Sequence, residues 1–432
     1  MPGPLEGTRV VELGVAIQGP AVGFFFSAVG ADVIKVEPPM GDASRYHRGV
    51  NNTLAADAYG SQFVAMNKGK RSVSIDLKSE LGRKVMERLL ASADVFVSNY
   101  RASALARIGL ELAAVAKRYP RLVVGHVNGF GPKGSEADKA MLDGAAVARG
   151  GITGLSGPTG EVPMPPGAAI ADHAGAMQTA LACVTALFAR ETKGRGQLVQ
   201  TSSLGAQLWL QMWELQHSFM TGVPLTREGS HHPTLKAPYG VYMTQDHVPI
   251  MYVAAMTDES WTAFWLFVDM PEALLLEQWD TPGKRIGVAG ADDGLVEIRD
   301  LMKRAMARHT MEEWQVFFSD QPEIIWERVR NHEEVRTDPQ NIANDYVVEI
   351  DLPSSGKTST VGTLMAFSET PTSPPGPPPP LGEHTEEVMA ALGFDAAEIE
   401  NLRNHAEAEK QVMLICAARR QLILYNLGSS DG

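Results

Sequence analysis

The sequence predicts an α/β protein, with a Rossmann-like, doubly wound large domain and a smaller α/β domain joined by extended linkers. Two observations predict the large domain. Short apolar runs alternate with helical stretches through the first 130 residues, and all but DVIKVE reach or run into Gly, Asn or Lys, where a doubly wound sheet binds its ligands. A third observation, the segment SETPTSPPGPPPPLGEH at 368–384, predicts a linker, because so many prolines allow neither a helix nor a central strand.

RVVEL (9–13) reads as a buried strand, and Gly14 opens a short loop to Pro20, a favourable first-turn residue for a helix over 21–29. Gly30 stops that helix, and DVIKVE (32–37) completes a βαβ unit. The pattern repeats as SVSIDL (72–77), a helix over 80–93 and DVFVSN (94–99), then two short helices between Ala102 and Tyr119, and LVVGHVNGF (122–130). A long helix is predicted over 172–191, a glycine-rich turn at KGRGQ (193–197), and a further helix over 207–220 that carries Trp209, Trp213 and Phe219. The stretch 225–345 mixes strand-like GVYMT and VPIMYVA with helical segments. After the prolines, TEEVMAALG and DAAEIENL read as short helices, the second with Asp395 and Glu398 at capping-box spacing. The domains expected are therefore 1–200, completed by C-terminal helices within 381–432, a linker helix at 201–224, a small domain at 225–345 and a Pro-rich return linker at 346–380.

The 432 residues suffice for a large core, and their composition, 44% hydrophobic and 21% charged, is that of an ordinary globular protein. A formal charge of −13 argues against nucleic-acid binding, so an anionic ligand must meet a local basic patch. Cys183 and Cys416 form no CxxC pair and no Cys/His cluster, which argues against a disulfide framework and a zinc site and suits a reducing, cytoplasmic compartment. No metal, signal peptide or membrane span is expected. The stretch VMLICAARRQLILYNL (412–427) reads as an amphipathic helix docked on protein.

The turn after the first strand, GVAIQGP, lacks G-x-G-x-x-G spacing, and no Walker loop occurs, which removes support for NAD, FAD and ATP. Instead Lys35, Arg45, Lys68, Lys70, Arg71, Lys78, Asn99, Arg101 and Arg107 lie at or after strand ends, a rim of groups suited to a polyphosphate.

PLEGTRVVELGVAIQGPAVGFFFSAVGADVIKVEPPMGDASR, NKGKRSVSIDLKSELGR, ADVFVSNYRASALARIGL, GFGPKG, IADHAGAMQTALACVTALFARETKGRGQ and LGEHTEEVMAALG together resemble, in order, the class III CoA-transferases. That resemblance implies an interlocked homodimer acting on an acyl-CoA and a carboxylic acid. It implies coenzyme A contacts at Ile17, Gln18, Ile75 to Lys78, Asn99, Tyr100, Arg101, Arg107 and Asn128. Pro38 stands where a family member can use Arg, so Arg45 or Arg71 is expected to compensate.

It also implies that Asp143, in KAMLDGAAVARGG, is the nucleophile. A carboxylate that stores the acyl group covalently, first as an anhydride and then as an aspartyl-CoA thioester, spares the activated acyl group from water. Backbone amides of Gly144, Gly150 or Gly151 are expected to stabilise the oxyanions. A purely structural role, capping a helix that starts at Gly144, is the alternative for Asp143. Met141, Leu142 and Val147 depart from the family's G-[FY]-D-x-x-x-Q pattern. Racemisation is the rival chemistry. For it the resemblance implies a histidine before Asp143, where Leu142 stands, together with a second aspartate, matched by Asp172 in ADHAG; His173 or His126 would have to substitute. A non-catalytic CoA-binding protein is the third reading. The segment SHHPTLKAPYG resembles one that reaches the partner subunit's site, which makes His232 and Tyr239 further candidates.

Overall fold

The computed structural model describes residues 3–405 apart from 56, 236, 237, 256, 286–294 and 354. The helix expected at 412–427 and the rest of the tail after His405 lie outside the described residues. The chain divides into two compact units: one of 1–146, 169–207 and 336–432, the other of 147–168 and 208–335.

The first unit is built on strands β1 (Arg9–Leu13), β2 (Asp32–Glu37), β3 (Arg71–Ser74), β4 (Val95–Ser98), β5 (Val123–Asn128) and β6 (Leu198–Ser202). They run in the order β3-β2-β1-β4-β5-β6, and every pairing is parallel. Strands covered on both faces need apolar side chains on both, which is why RVVEL and DVIKVE read as near-continuous apolar runs. Helices of this unit are α1 (Gln18–Ala28), α2 (Ser61–Asn67), α3 (Glu80–Ser92), α4 (Ala102–Arg107), α5 (Leu112–Arg118) and α8 (Ile170–Lys193); α6 (Asp143–Gly150) and α9 (Ser203–Leu210) start in it and end in the second, to which α7 (Ile152–Leu155) belongs. Alternation along the strands sends Val10, Val33, Val95 and Val97 to the face packed by Val22 and Phe26 of α1 and Ala176, Ala180 and Cys183 of α8. Val11, Ile34, Phe96 and Val124 face Val85 and Leu89 of α3, and Ser79 caps α3 by accepting from Gly82 N at 2.9 Å.

Three expectations change. LVQTS, left outside any element, is the sheet strand β6. The helix expected over 207–220 is two helices, α9 and α10 (Met212–Thr221), because Gln211 leaves helical geometry and donates its side-chain amide to the carbonyl of Gly150. The return segment is not wholly extended. After α15 (His332–Thr337) and α16 (Pro339–Ala343), β10 (Val347–Leu352) and β11 (Gly356–Val361) form an antiparallel hairpin.

In the second unit β7 (Gly240–Met243), β8 (Pro249–Ala255) and β9 (Ile324–Arg328) form an antiparallel sheet. It shares one aromatic-rich core, including Tyr252, Trp265, Trp279 and Trp314, with α11 (Asp258–Phe267), α13 (Leu295–Met306) and α14 (Met311–Ser319); the one-turn α12 is Pro282–Arg285. The Pro-rich segment runs back along the first unit's edge. Gly69 N donates to Gly376 O at 2.9 Å, and the β3 edge amide of Ser74 donates to Thr385 Oγ1 at 3.0 Å. That covers a strand edge which would otherwise be open. α17 (Thr385–Ala391) follows, and Asp395 and Glu398 exchange the expected reciprocal capping bonds.

Candidate active site

The strand order reverses between β1 and β4, so the chain leaves their carboxyl ends in opposite directions and opens a crevice there. The loop after β1 is held rigidly in that crevice. Asn99, just after β4, accepts from Val15 N at 3.0 Å and donates to Val15 O at 2.9 Å. Ala16 sits at a φ of 62°, a left-handed conformation that costs an alanine energy and must be imposed by its surroundings.

Those surroundings are ionic and buried. Lys35 Nζ contacts Glu12 Oε1 at 2.9 Å, Gly14 O at 2.9 Å and Asp42 Oδ2 at 3.2 Å, while Asp42 Oδ1 accepts from Ala16 N at 3.3 Å. Lys70 Nζ takes the other Glu12 oxygen at 2.6 Å. Burial alone would lower the Lys35 pKa, but the charges of Glu12, Asp42 and Glu37 outweigh it and hold the amine protonated. Arg45 is locked bidentately on Glu37 at 2.8 and 2.6 Å, and Lys68 donates to Ala65 O and Thr360 Oγ1. The expected basic rim is therefore corrected: Lys35, Arg45, Lys68 and Lys70 are interior groups, each 5% exposed or less. Arg45 cannot compensate for Pro38, and Arg71 is engaged by Asp32 and Glu387. Lys78, Arg101 and Arg107 remain exposed. The last two lie close to Asp138, whose carboxyl is held low first by its bonds to Ser103 and then by their charges.

The Ile75 side chain is a core group at 1% exposure, so only its backbone is available to a ligand. Gln18, in the first turn of α1, is buried and donates to Ser203 Oγ and, at 3.5 Å, to the carbonyl of Asn128. Asn128 Oδ1 accepts from Gly131 N at 2.7 Å. Ile17 and Tyr100 are half-buried beside these groups in sequence. The groove between α3 and α5, about 210 Å³, is lined by Leu77, Met86, Ile108 and Val115 among others, and none of the crevice residues lines it.

Asp143 begins α6, yet its carboxylate serves a different helix. Oδ1 accepts from Ala171 N at 2.7 Å and Asp172 N at 3.1 Å, the first-turn amides of α8, whose own N-cap residue Ala169 contributes no side-chain bond. Gly150 ends α6, seven residues and about 10 Å along the helix from Asp143, whereas Ala171 and Asp172 are in contact. Asp172 is itself half-buried against Ser203 and near Asp143, and its pKa is pushed up to about 6, by burial first and then by the Asp143 charge. The contacts thus run from Asp143 through Asp172, Ser203 and Gln18 to Asn128. Sequence reasoning missed Ser203, whose only local signal is its place at the end of a strand it did not recognise.

Among the described residues, no group of three or more His, Cys, Asp or Glu is placed to hold a metal, and no helix is long and apolar enough to cross a membrane. His126 is buried with Nε2 2.8 Å from Tyr100 O, and His173 Nδ1 lies 2.7 Å from Ala169 O. In the second unit His232 lies 3.5 Å from Glu214, stacks on Trp213 and meets Tyr239 edge-on.

The model of CoA-transferase family III matches residues 5–385. The chain belongs to that family. Cinnamoyl-CoA:phenyllactate CoA-transferase of Clostridium sporogenes is 28% identical over 421 residues, covering 95% of this chain and 97% of its own. Human succinyl-CoA:glutarate CoA-transferase is 25% identical, with 92% and 88% covered. A CaiB/BaiF family protein from Brucella suis superposes with a TM-score of 0.78 at 26% identity, covering 91% of this chain and all of that one. Rv3272 of Mycobacterium tuberculosis shares the fold at a TM-score of 0.74 and 23% identity. Family III membership makes the chain an enzyme of the CoA-transferase class, and acyl-CoA and acid substrates fit that class.

Proposed function

We propose that this family III enzyme moves CoA from an acyl-CoA to a carboxylic acid through covalent intermediates on Asp143. The observation that supports this most is the pairing of Asp143 Oδ1 with two first-turn amides of the 24-residue helix α8. A carboxylate at a helix N-terminus is stabilised as an anion, and the same amides stay in place for the oxyanion when the aspartyl carbonyl is attacked. Oδ2, which accepts no hydrogen bond among the described residues, is the attacking atom.

Oδ2 adds to the thioester carbonyl and the C–S bond breaks, giving an anhydride and CoA thiolate. The thiolate attacks the Asp143 carbonyl, with its oxyanion on Ala171 N and Asp172 N, and the first acid leaves with one Asp143 oxygen. The acceptor carboxylate then attacks the thioester, and the returning thiolate takes the new acyl group. The crevice lined by Ile17, Gln18, Asn99, Tyr100, Arg101, Arg107 and Asn128, with Lys78 and the backbone of Ile75, is the place for coenzyme A, and the exposed cations meet its phosphates. The protein acts as an interlocked homodimer, with SHHPTLKAPYG of one subunit at the partner's site.

Racemisation is disfavoured by the same geometry. Leu142 precedes Asp143, and His126 and His173 each hold a ring nitrogen on a backbone carbonyl. The test pairs a panel of acyl-CoA donors and carboxylic acids, including succinyl and cinnamoyl donors. Wild type exchanges CoA without washing solvent deuterium into the α-position, and Asp143→Asn loses roughly a thousandfold in exchange. Deuterium incorporation without exchange would establish the racemase reading instead.

A further inference from the structure

Successive residues of the loop after β1 are each held by a side chain from a neighbouring strand. Lys35 of β2 donates to Gly14 O, Asn99 beyond β4 brackets Val15 at both its N–H and its carbonyl, and Asp42 beyond β2 accepts from Ala16 N at 3.3 Å. Asp42 lies in the segment PPMGDASR, to which the reaction above gives no role. Its carboxylate is 1% exposed and engaged on both oxygens. Oδ1 also takes Ser44 N at 2.9 Å and Ser44 Oγ at 2.8 Å, and Oδ2 faces Lys35 Nζ at 3.2 Å. The residue it grips is the alanine at a φ of 62°. Ile17 and Gln18 follow directly and lead the chain into α1 at the crevice.

We propose that Asp42 is a positioning residue for acyl-CoA binding: by gripping the Ala16 amide it holds that residue in its left-handed conformation and keeps Ile17 and Gln18 set to receive the coenzyme. This rests on the reading of the crevice as the coenzyme A site and uses none of the covalent steps.

An alanine resists a positive φ because its Cβ crowds the carbonyl that follows, which disfavours the conformation roughly fivefold to thirtyfold. The grip of Asp42 offsets that handicap before the coenzyme arrives. Without it the competent loop becomes a minor population, and apparent affinity falls in proportion to that population. Glycine has no Cβ and takes a positive φ freely, so the loss depends on the residue at position 16. A role confined to capping the one-turn 3-10 helix Ala43–Tyr46 through Ser44 N carries no such dependence.

Serine at position 42 still offers an oxygen to Ser44 N, but it is one bond shorter than the carboxylate and does not reach Ala16 as well. Asparagine keeps an oxygen for both amides and removes only the charge facing Lys35. The experiment is calorimetric titration of the intact protein with free coenzyme A, with thermal melts alongside. Asp42→Ser should weaken binding roughly tenfold. With Ala16→Gly also present the loss should shrink to about twofold or threefold, while Ala16→Gly alone stays near wild type. Asp42→Asn should lower the melting temperature, because a buried ammonium loses a partner, yet keep affinity within about threefold of wild type. In turnover the Asp42→Ser loss should fall on KM for the acyl-CoA, with kcat nearly unchanged. Should Asp42→Ser not fold, Ala16→Pro breaks the same bond from the other side. It removes the amide hydrogen and forbids a positive φ without touching the buried charges, and it should weaken binding by about tenfold or more. Equal losses for Asp42→Ser with and without Ala16→Gly overturn the proposal, as do affinities that merely track the melting temperatures, or wild-type affinity in Ala16→Pro. The paired substitution Arg101→Ala with Arg107→Ala tests the crevice itself. Weakened binding there with wild-type binding by Asp42→Ser overturns the positioning role alone, and wild-type binding in both overturns the crevice as the coenzyme site together with it.

Discussion

Asp143 caps α8 and is proposed to carry the acyl group, two roles that substitutions can separate. Asparagine keeps a side-chain oxygen for Ala171 N and Asp172 N, so Asp143→Asn should leave the melting temperature nearly unchanged while transfer falls roughly a thousandfold. Asp143→Ala should in addition lose about 1 kcal/mol, the usual cost of a missing N-cap, which paired thermal melts would reveal. Asp172 has the opposite sign from most structural carboxylates. Its folded-state pKa, about 6, lies above the ordinary 3.8, so the folded state binds the proton more tightly and stability contributed by the neutral acid is lost as pH rises through this window. Asp172→Asn should therefore stabilise the protein above about pH 6, by on the order of 1 kcal/mol after allowance for solvent screening; melts at pH 4 should show little gain. Asp143 was singled out because the motif around it is local. Its partner amides, 28 and 29 residues downstream, were not, and the helix it caps is α8 rather than the one it begins. The burial of Lys35 and Lys70 was hidden for the same reason, since Glu12 joins them only once β1, β2 and β3 are side by side.

Elements whose apolar period matches their burial were readable, and those shaped by polar contacts were not. β1, β2, β4 and β5 are almost wholly buried and announce themselves as apolar runs. β6, LVQTS, is an edge strand with a partly exposed pattern, so its polar residues concealed it. The break at Gln211 depends on a side-chain bond to Gly150, and the β10–β11 hairpin buries few apolar groups, chiefly Ile350 and Leu352 beside Val64. The contact of α1 with β1 carries its own prediction. A Cβ at Gly23 would stand 1.9 Å from Glu12 Oε2, so Gly23→Ala should displace the carboxylate that neutralises two buried amines. Glu12→Ala, which removes it outright, should cost about 3–5 kcal/mol, read as a shift in urea midpoint; a loss below about 1 kcal/mol would mean that water replaces the carboxylate.

At the scale of the molecule, each unit leaves apolar surface uncovered. In the first, α8 exposes Met177, Leu181 and Phe188 at helical spacing, each by 66% or more; in the second, α10 exposes Trp213, Phe219 and Met220. Stripes of this kind on a chain with a formal charge of −13 are the surfaces that the proposed homodimer would cover. The proposed homodimer predicts a mass twice that of the chain in light scattering, and Phe188→Glu should weaken the dimer without altering the fold of the first unit. The doubly wound sheet and its crevice followed from alternation and strand ends, while the identity of the acids depends on packing that no local pattern encodes. The central claim, that Asp143 carries the acyl group covalently, is tested most directly with an acceptor acid labelled in its carboxylate by heavy oxygen. After turnover, peptide mass spectrometry should find heavy oxygen in the Asp143 side chain, delivered through the anhydride. Complete turnover with no label at Asp143 would contradict it.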